Sequence, residues 1–215
     1  MNAPQTLSSD RPIVLGSRSP RRRELLSLLV TAERIVILPP TDPEEPGFEE
    51  LTDEAAIREQ LRRIAHLKND NVRARPECPP AALVLTADTV IVAGPPGAFV
   101  VLGQPPATPD WKATVRQWFH SHYFNRTHRA MTAVVLSDPS GQRMERIVET
   151  HVSMGSASEA LLEWYLDTEE PLGKAGGYAL QGAGSVFISR VEGSLTNVVG
   201  LPLEAVREML MEACL

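Results

Sequence analysis

The chain has 215 residues, of which 43% are hydrophobic and 22% charged, and its formal net charge at pH 7 is -6. This composition is ordinary for a globular protein with a sizeable core, and it excludes a protein that binds nucleic acid through its overall charge. No apolar stretch approaches the roughly 18 residues of a membrane span, and the two cysteines lack metal-ligand spacing. We therefore expect a cytoplasmic protein whose partners include neither membrane nor nucleic acid. Residues 1–10 are predicted to form a disordered tail before a single domain over 11–215.

The first predicted elements are a short strand and a helix. Ile13–Leu15 is apolar, Ser19 is a favourable N-cap, and Pro20 is a favourable first helical residue. Arg21–Arg23 then place three cations in the first turn, where the helix macrodipole is positive and each cation costs about 0.3–1 kcal/mol. This conflict needs an explanation.

We interpret the segment Gly16–Arg22, called here the arginine turn, as a phosphate site. A strand end, a serine-rich turn and a helix N-terminus offer backbone amides to an anion, and guanidinium groups suit a polyphosphate. The segment is not a P-loop, because it lacks the Gly-Lys-Ser/Thr element that ends such a loop. The alternative is a solvated charged face. The phosphate interpretation predicts that Arg21 and Arg22 serve binding and contribute little to the stability of the ligand-free protein.

A second strand is predicted over Arg34–Leu38, followed by an acidic loop that contains Glu45. Thr52 is the expected N-cap of the next helix, whose apolar stripe leads at helical spacing to Lys68. A lysine on such a stripe either extends its amine to solvent or takes part in a site.

A long apolar strand is predicted over Ala82–Gly94, and it contains one acid, Asp88. An acid within an apolar strand is costly unless it is paired or binds a metal. One alternative is that Thr86 or Thr89 satisfies the carboxylate. The other is that Asp88, together with Glu45, provides oxygen ligands for Mg²⁺ or a general base.

The second half of the chain alternates irregularly between predicted strands and helices. The predicted segments are a hairpin strand Phe99–Leu102, a helix from Thr108, strands Met131–Leu136 and Arg143–Met154, a helix capped by Ser156, the glycine segment Gly173–Gly184, a strand Val186–Ser189, a strand end Asn197–Val199 and a helix from Pro202. The glycine segment carries Lys174 and Gln181 and permits close backbone approach to a ligand. This order predicts an α/β fold with a mixed, partly antiparallel sheet and flanking helices.

Several long motifs, in order from about residue 12 to 210, resemble those of the Maf family of nucleoside triphosphate pyrophosphatases. They are "VLGSRSPRRRELL", "TADTVIV", "NRTHRAMTAVVL", "EEPLGKAGGYALQGAG" and "NVVGLPL". The resemblance implies two lobes around a nucleotide-binding cleft, as in Maf and inosine-triphosphatase-like folds, and a homodimer. It also implies hydrolysis of a nucleoside triphosphate to monophosphate and pyrophosphate with Mg²⁺ or Mn²⁺. The glycine segment is similar to the branch that acts on dTTP and UTP.

The resemblance also implies roles for individual residues. Catalytic roles fall to Asp88, Glu45, Lys68 and Lys174, with Asp88 and Glu45 as metal ligands. Substrate binding falls to Ser17, Ser19, Arg21, Arg22, Thr89, Gln104 and Gln181. In the motif after the hairpin the family usually has lysine where this chain has Gln104. The alternative function is therefore a regulatory protein that binds nucleotides with weak or no catalysis.

Overall fold

The computed structural model describes residues 11–41 and 46–213. The tail expected over residues 1–10 lies outside these ranges. The strands are β1 (Ile13–Leu15), β2 (Ile35–Ile37), β3 (Leu83–Ala93), β4 (Val100–Leu102), β5 (Thr127–Ser137), β6 (Arg143–Met154) and β7 (Ile188–Glu192). The helices are α1 (Pro20–Leu26), α2 (Glu54–Arg73), α3 (Trp111–Trp118), α4 (Glu159–Asp167), α5 (Leu195–Val199) and α6 (Leu203–Ala213). One turn of π-helix, Phe119–Tyr123, extends α3.

The strands of the described residues form one mixed sheet in the order β2-β1-β3-β5-β6-β7, with β4 also paired to β3. β1 is parallel to β2 and β3, whereas the β3, β5, β6 and β7 neighbours are antiparallel. The predicted mixed, partly antiparallel sheet with flanking helices is confirmed. None of the helices in this part of the chain has the length and apolar character that a membrane span requires.

The central strand β3 has a gap along one edge. Its residues 83–85 pair with β1 and its residues 91–93 pair with β4 on the same side, whereas β5 lines the whole of the other side. Within the described part of the chain, residues 86–90 therefore have a strand neighbour on one side only. Asp88 lies in the middle of this gap, so the sheet itself opens a cleft at the acid.

Strand side chains alternate between the two faces of the sheet, so both faces carry apolar residues. Helices cover both faces. On one face, Leu85 and Ala87 pack with α1 and α6. Ile91 on the same face packs with α3 and α4 in a second cluster. On the other face, Val90 packs against α2. Two groups of helices thus occupy opposite ends of one face and share β3 and β5.

Four local predictions are wrong, each because the ends of short elements depend on hydrogen bonds that pattern alone does not show. The carboxylate of Asp53, not the hydroxyl of Thr52, accepts from the backbone of α2. Ser158, not Ser156, caps α4. The predicted strand end at Asn197–Val199 is part of α5, which Ser194 caps, and the strand predicted over Val186–Ser189 begins only at Ile188.

Candidate active site

A cleft of about 690 Å³ opens at the gap in β3. It brings together every described residue that the sequence assigned to the site. These are Ser17, Ser19, Arg21, Arg22, Lys68, Asp88, Thr89, Gln104, Lys174 and Gln181. Glu45 lies outside the described residues. The arginine turn forms one wall of the cleft and the glycine segment forms the other.

The arginine turn leaves the end of β1 in a tightly packed loop. A Cβ atom on Gly16 would lie 2.6 Å from the Thr86 side chain, so only glycine fits against β3 at this point. The buried hydroxyl oxygen of Ser17 accepts from the backbone nitrogen of Ser19 at 3.1 Å. The Ser19 hydroxyl oxygen in turn accepts from the backbone nitrogen of Arg22, as an N-cap does. The predicted cap is therefore confirmed.

The Arg22 guanidinium fills the gap in the sheet. It donates to the carbonyl of Ala87 at 2.7 Å, to the carbonyl of Gly200 at 2.8 Å and to the Thr89 hydroxyl at 3.0 Å. The Ala87 carbonyl faces the side of β3 that has no strand neighbour, so the arginine takes the place of a missing strand. These bonds argue against the expectation that Arg22 contributes little to the ligand-free fold.

The other two arginines of the first turn have different surroundings. Arg21 lines the cleft near Lys174, and its charge adds to the effect of burial in lowering the pKa of that amine. Arg23 is exposed, and because α1 has only seven residues Arg23 already belongs to its last turn. A cation is favourable at that end of the dipole. Of the three cations, one bonds the protein, one faces the cleft and one suits the helix C-terminus.

Asp88 and Lys68 form a pair at the floor of the cleft. The Lys68 ammonium lies 2.6 Å from the Asp88 carboxylate, and each side chain is 13% exposed. Asp88 points to the face of the sheet covered by α2, and the apolar stripe of that helix places Lys68 opposite it. The sequence treated the two residues as separate candidates, whereas the structure makes them partners. Thr89 points to the other face, toward Arg22.

The glycine segment presents Lys174 and Gln181 to the cleft. The Lys174 ammonium donates to the carbonyl of Glu170, and burial together with the nearby charge of Arg21 lowers its pKa. The Glu170 carboxylate accepts from the backbone nitrogens of Ala183 and Gly184, so it fixes the chain just after Gln181.

Gln104 lies on the loop that follows β4. Its neighbour Gly103 accepts from the backbone nitrogen of Gly176 at 2.9 Å, so this loop is joined to the glycine segment. Gln104 itself is exposed at the cleft and adds no charge there. The position that the family usually fills with lysine is therefore at the site, but neutral.

Charge distinguishes this cleft from the rest of the protein. Among its described lining residues are five cationic side chains and one carboxylate, although the whole chain has a net charge of -6. One of the cations, Arg18, was not singled out by the sequence interpretation; it also donates to the carbonyl of Pro40 at 3.4 Å. Its place within the same arginine run was the signal that could have found it.

Residues 12–213 match the family model described as Maf-like protein. A similar protein from Anaeromyxobacter dehalogenans, named dTTP/UTP pyrophosphatase, is 36% identical over 94% of this chain and 93% of its own length. A relative of the same name from Myxococcus xanthus is 37% identical over 94% of this chain and 90% of its own. A third from Burkholderia thailandensis is 35% identical over 97% of both.

Among solved structures, the chain is similar to one titled nucleoside-triphosphatase / dITP/XTP pyrophosphatase from Mycobacterium abscessus. The two are 16% identical, with a TM-score of 0.39, over 66% of this chain and 74% of the other. This likeness is too low to assign a fold or a function.

Proposed function

The chain belongs to the Maf-like protein family, and from this premise we propose that it is a nucleoside triphosphate pyrophosphatase. The reaction hydrolyses the bond between the α- and β-phosphates and gives a nucleoside monophosphate and pyrophosphate. Because the relatives are named dTTP/UTP pyrophosphatase, pyrimidine nucleotides and their modified forms are the substrates to test first.

The observation that carries this proposal is the cationic cleft in an acidic protein. Arg18, Arg21, Lys68 and Lys174 place positive charge around a space of about 690 Å³. A triphosphate carries several negative charges, which such a cleft attracts and neutralises. The resemblance of the motifs then assigns the anion to a nucleotide rather than to a simple polyphosphate.

The residues divide the chemistry between them. An attacking water forms a bond to the α-phosphorus, its proton passes to a carboxylate, and the bond to the β-phosphate oxygen breaks so that pyrophosphate leaves. Asp88 is the carboxylate among the described residues that line the cleft, and Lys68 beside it balances its charge. Arg21 and Lys174 stabilise the charge that develops on the leaving pyrophosphate. Gln181 and Ser19 orient the substrate.

A divalent cation, Mg²⁺ or Mn²⁺, fits this donor set. Mg²⁺ is typically held by one or two carboxylates together with substrate phosphates. Asp88 provides one carboxylate in the cleft, and Glu45 is the second carboxylate that the sequence predicts. When bound, the cation would neutralise phosphate charge. Which carboxylate holds the cation and which accepts the proton is decided by comparing the metal affinities of Asp88→Asn and Glu45→Gln.

The test is release of pyrophosphate by the purified protein from dTTP, UTP, CTP and ATP, with Mg²⁺ or Mn²⁺. We expect turnover on the pyrimidine nucleotides and a loss of roughly 10²–10⁴-fold in Asp88→Asn, because the amide keeps the shape but loses the proton acceptor or ligand. Asp70→Asn is the matched control, since Asp70 is an exposed acid on α2 that does not line the cleft. Turnover by Asp88→Asn at the parental rate would contradict the proposal.

A second candidate function is a nucleotide-binding regulator, and the neutral Gln104 in the cleft favours it. Calorimetry separates the two functions. Tight binding of dTTP or UTP without pyrophosphate release supports the regulator, whereas release at enzymatic rates excludes it.

The homodimer implied by the resemblance and the cytoplasmic location expected from the sequence stay predictions. Sedimentation of the purified protein tests the first, and fractionation of cells that produce it tests the second. Both measurements are independent of the activity assay.

A further inference from the structure

A cluster of four buried side chains packs at the glycine segment, and one of the four, Tyr178, belongs to that segment. Tyr123, His128, Tyr165 and Tyr178 are each at most 5% exposed. The Tyr123 ring centre is 4.5 Å from that of His128 and 5.6 Å from that of Tyr178. We call these four residues the tyrosine–histidine cluster. The proposed chemistry uses none of them.

The polar atoms of this cluster hold the glycine segment. The Tyr123 hydroxyl donates to the carbonyl of Gly176 at 2.7 Å, and the Tyr165 hydroxyl donates to the carbonyl of Gly177 at 3.0 Å. Both glycines have positive φ angles, 72° and 66°, a left-handed backbone that a chain seldom adopts twice in succession. The two hydroxyl bonds therefore select a conformation that the segment has little tendency to adopt alone.

His128 joins the cluster through the side chain of Tyr178. Its Nε2 atom lies 2.7 Å from the Tyr178 hydroxyl, and burial lowers the pKa of the imidazole to about 3. The ring is therefore neutral at pH 7. Its Nδ1 atom is buried and has no hydrogen-bond partner among the described residues. A buried nitrogen without a partner is unfavourable, so packing alone does not account for a histidine here.

The segment that the cluster holds is the one that presents Lys174 to the cleft. The nitrogen of Gly177 donates to the carbonyl of Lys174 at 2.9 Å, and the nitrogen of Gly176 donates to the carbonyl of Gly103, beside Gln104. Movement of Gly176 or Gly177 would thus move both Lys174 and the Gln104 loop relative to the arginine turn.

We infer that the tyrosine–histidine cluster is a set of positioning residues: His128, through Tyr178, and the Tyr123 and Tyr165 hydroxyls set the distance of Lys174 from the triphosphate. Tyr123 and Tyr165 act through the backbone, and His128 acts through the Tyr178 hydroxyl. These three residues do not line the cleft, whereas Tyr178 does. This inference rests on the proposed function, because the position of Lys174 matters here for the hydrolysis of a nucleotide.

The experiment compares Tyr178→Phe, His128→Leu and His128→Gln with the wild-type protein. Tyr178→Phe removes one hydroxyl and keeps the ring, so it tests the inference even if His128→Leu fails to fold. The glutamine side chain can still reach the hydroxyl and is the conservative variant. Ser137→Ala is the matched control: Ser137 is also buried on β5, and its hydroxyl accepts from Arg73 at 2.9 Å, at the opposite end of the strand.

Two readouts are measured, the amide exchange rates of Gly176 and Gly177 by NMR and the steady-state kinetics on dTTP. In Tyr178→Phe and His128→Leu we expect faster exchange at both amides and a kcat about tenfold lower, with a smaller change in KM, because small misplacement of a charge-stabilising group mainly affects turnover. His128→Gln should recover part of both changes. Ser137→Ala should lower Tm without affecting either readout.

Two results would overturn the inference. One is a loss of Tm with unchanged exchange at Gly176 and Gly177, which would make the cluster a general packing element. The other is faster exchange with wild-type turnover, which would show that the position of Lys174 does not limit the reaction. If the wild-type protein hydrolyses no triphosphate, the proposed function fails by itself, and the exchange rates still support or overturn the part of the inference that concerns the segment.

Discussion

The arginine turn and the glycine segment face each other across the cleft but are held in place by different chemistry. In the arginine turn, the charged guanidinium of Arg22 bonds two carbonyls and a hydroxyl. In the glycine segment, two neutral tyrosine hydroxyls donate to backbone carbonyls, and an imidazole pairs with the Tyr178 hydroxyl. In the arginine turn, the residue that holds the wall and the residues that face the cleft are neighbours in the chain. In the glycine segment, the tyrosines whose hydroxyls hold the wall, Tyr123 and Tyr165, lie outside the segment that carries Lys174, the residue that the wall presents to the cleft.

This difference determines how each wall responds to pH. The guanidinium of an arginine is not deprotonated in proteins, so the bonds that hold the arginine turn are insensitive to pH. His128 has a folded-state pKa of about 3, well below the 6.5 of a free imidazole, because it is buried. Protonating it requires taking the ring out of the core. Acid should thus weaken the glycine segment before the arginine turn.

The largest expected effect tests the arginine turn. Arg22→Ala should lower the free energy of unfolding of the ligand-free protein by about 3 kcal/mol, because it removes the side-chain donor of the Ala87 carbonyl and leaves the Gly200 carbonyl with only the Thr89 hydroxyl at 3.5 Å. Arg21→Ala is the matched control. It should change the free energy of unfolding by less than about 0.5 kcal/mol while weakening nucleotide binding. Urea unfolding without nucleotide measures both. Equal losses in the two variants would remove the distinction between these neighbours.

An intermediate effect tests the acid sensitivity of the glycine segment. Between pH about 6.5 and about 3 the unfolded His128 binds a proton that the folded one does not, so the free energy of unfolding falls as the pH is lowered. From pH 7 to pH 5 this residue should account for about 2 kcal/mol of the loss.

Between pH 7 and pH 5, the free energy of unfolding of His128→Gln should therefore fall by about 2 kcal/mol less than that of the wild-type protein. Urea unfolding at the two pH values measures this difference. The remaining histidines are common to both proteins and cancel in the comparison. Identical pH dependence in the two proteins would show that His128 already titrates normally in the folded state.

The smallest expected effect adds a charge beside the glycine segment. Gln104→Lys should raise kcat on dTTP or UTP by about tenfold with a smaller change in KM, because a cation there would stabilise the leaving pyrophosphate more than the bound substrate. Gln142→Lys is the control, an exposed glutamine outside the residues that line the cleft. No gain in Gln104→Lys would mean that Lys68, Lys174 or an arginine already provides this charge.

Several features could be predicted because they depend on neighbouring residues. The apolar runs placed β1 and β3, and the Ser19–Pro20 pair placed the start of α1. An acid inside an apolar strand identified Asp88, and the spacing of α2 identified Lys68. Each of these signals comes from side-chain periodicity or local capping, which a short window of sequence contains in full.

Other features depended on contacts that no local window contains. Residues 195–199 are rich in β-branched side chains, yet they form a helix because Ser194 caps it and the buried Asn197 amide bonds the carbonyl of Ala130. The sequence also left open which arginine of the first turn bonds the protein. Arg22 donates to the carbonyl of Gly200, which is 178 residues away in the chain, so no local pattern shows this contact. The sequence alone determined which residues could serve a site. Only the tertiary structure decided which of them face the cleft and which complete the sheet, because hydrogen bonds are satisfied in three dimensions.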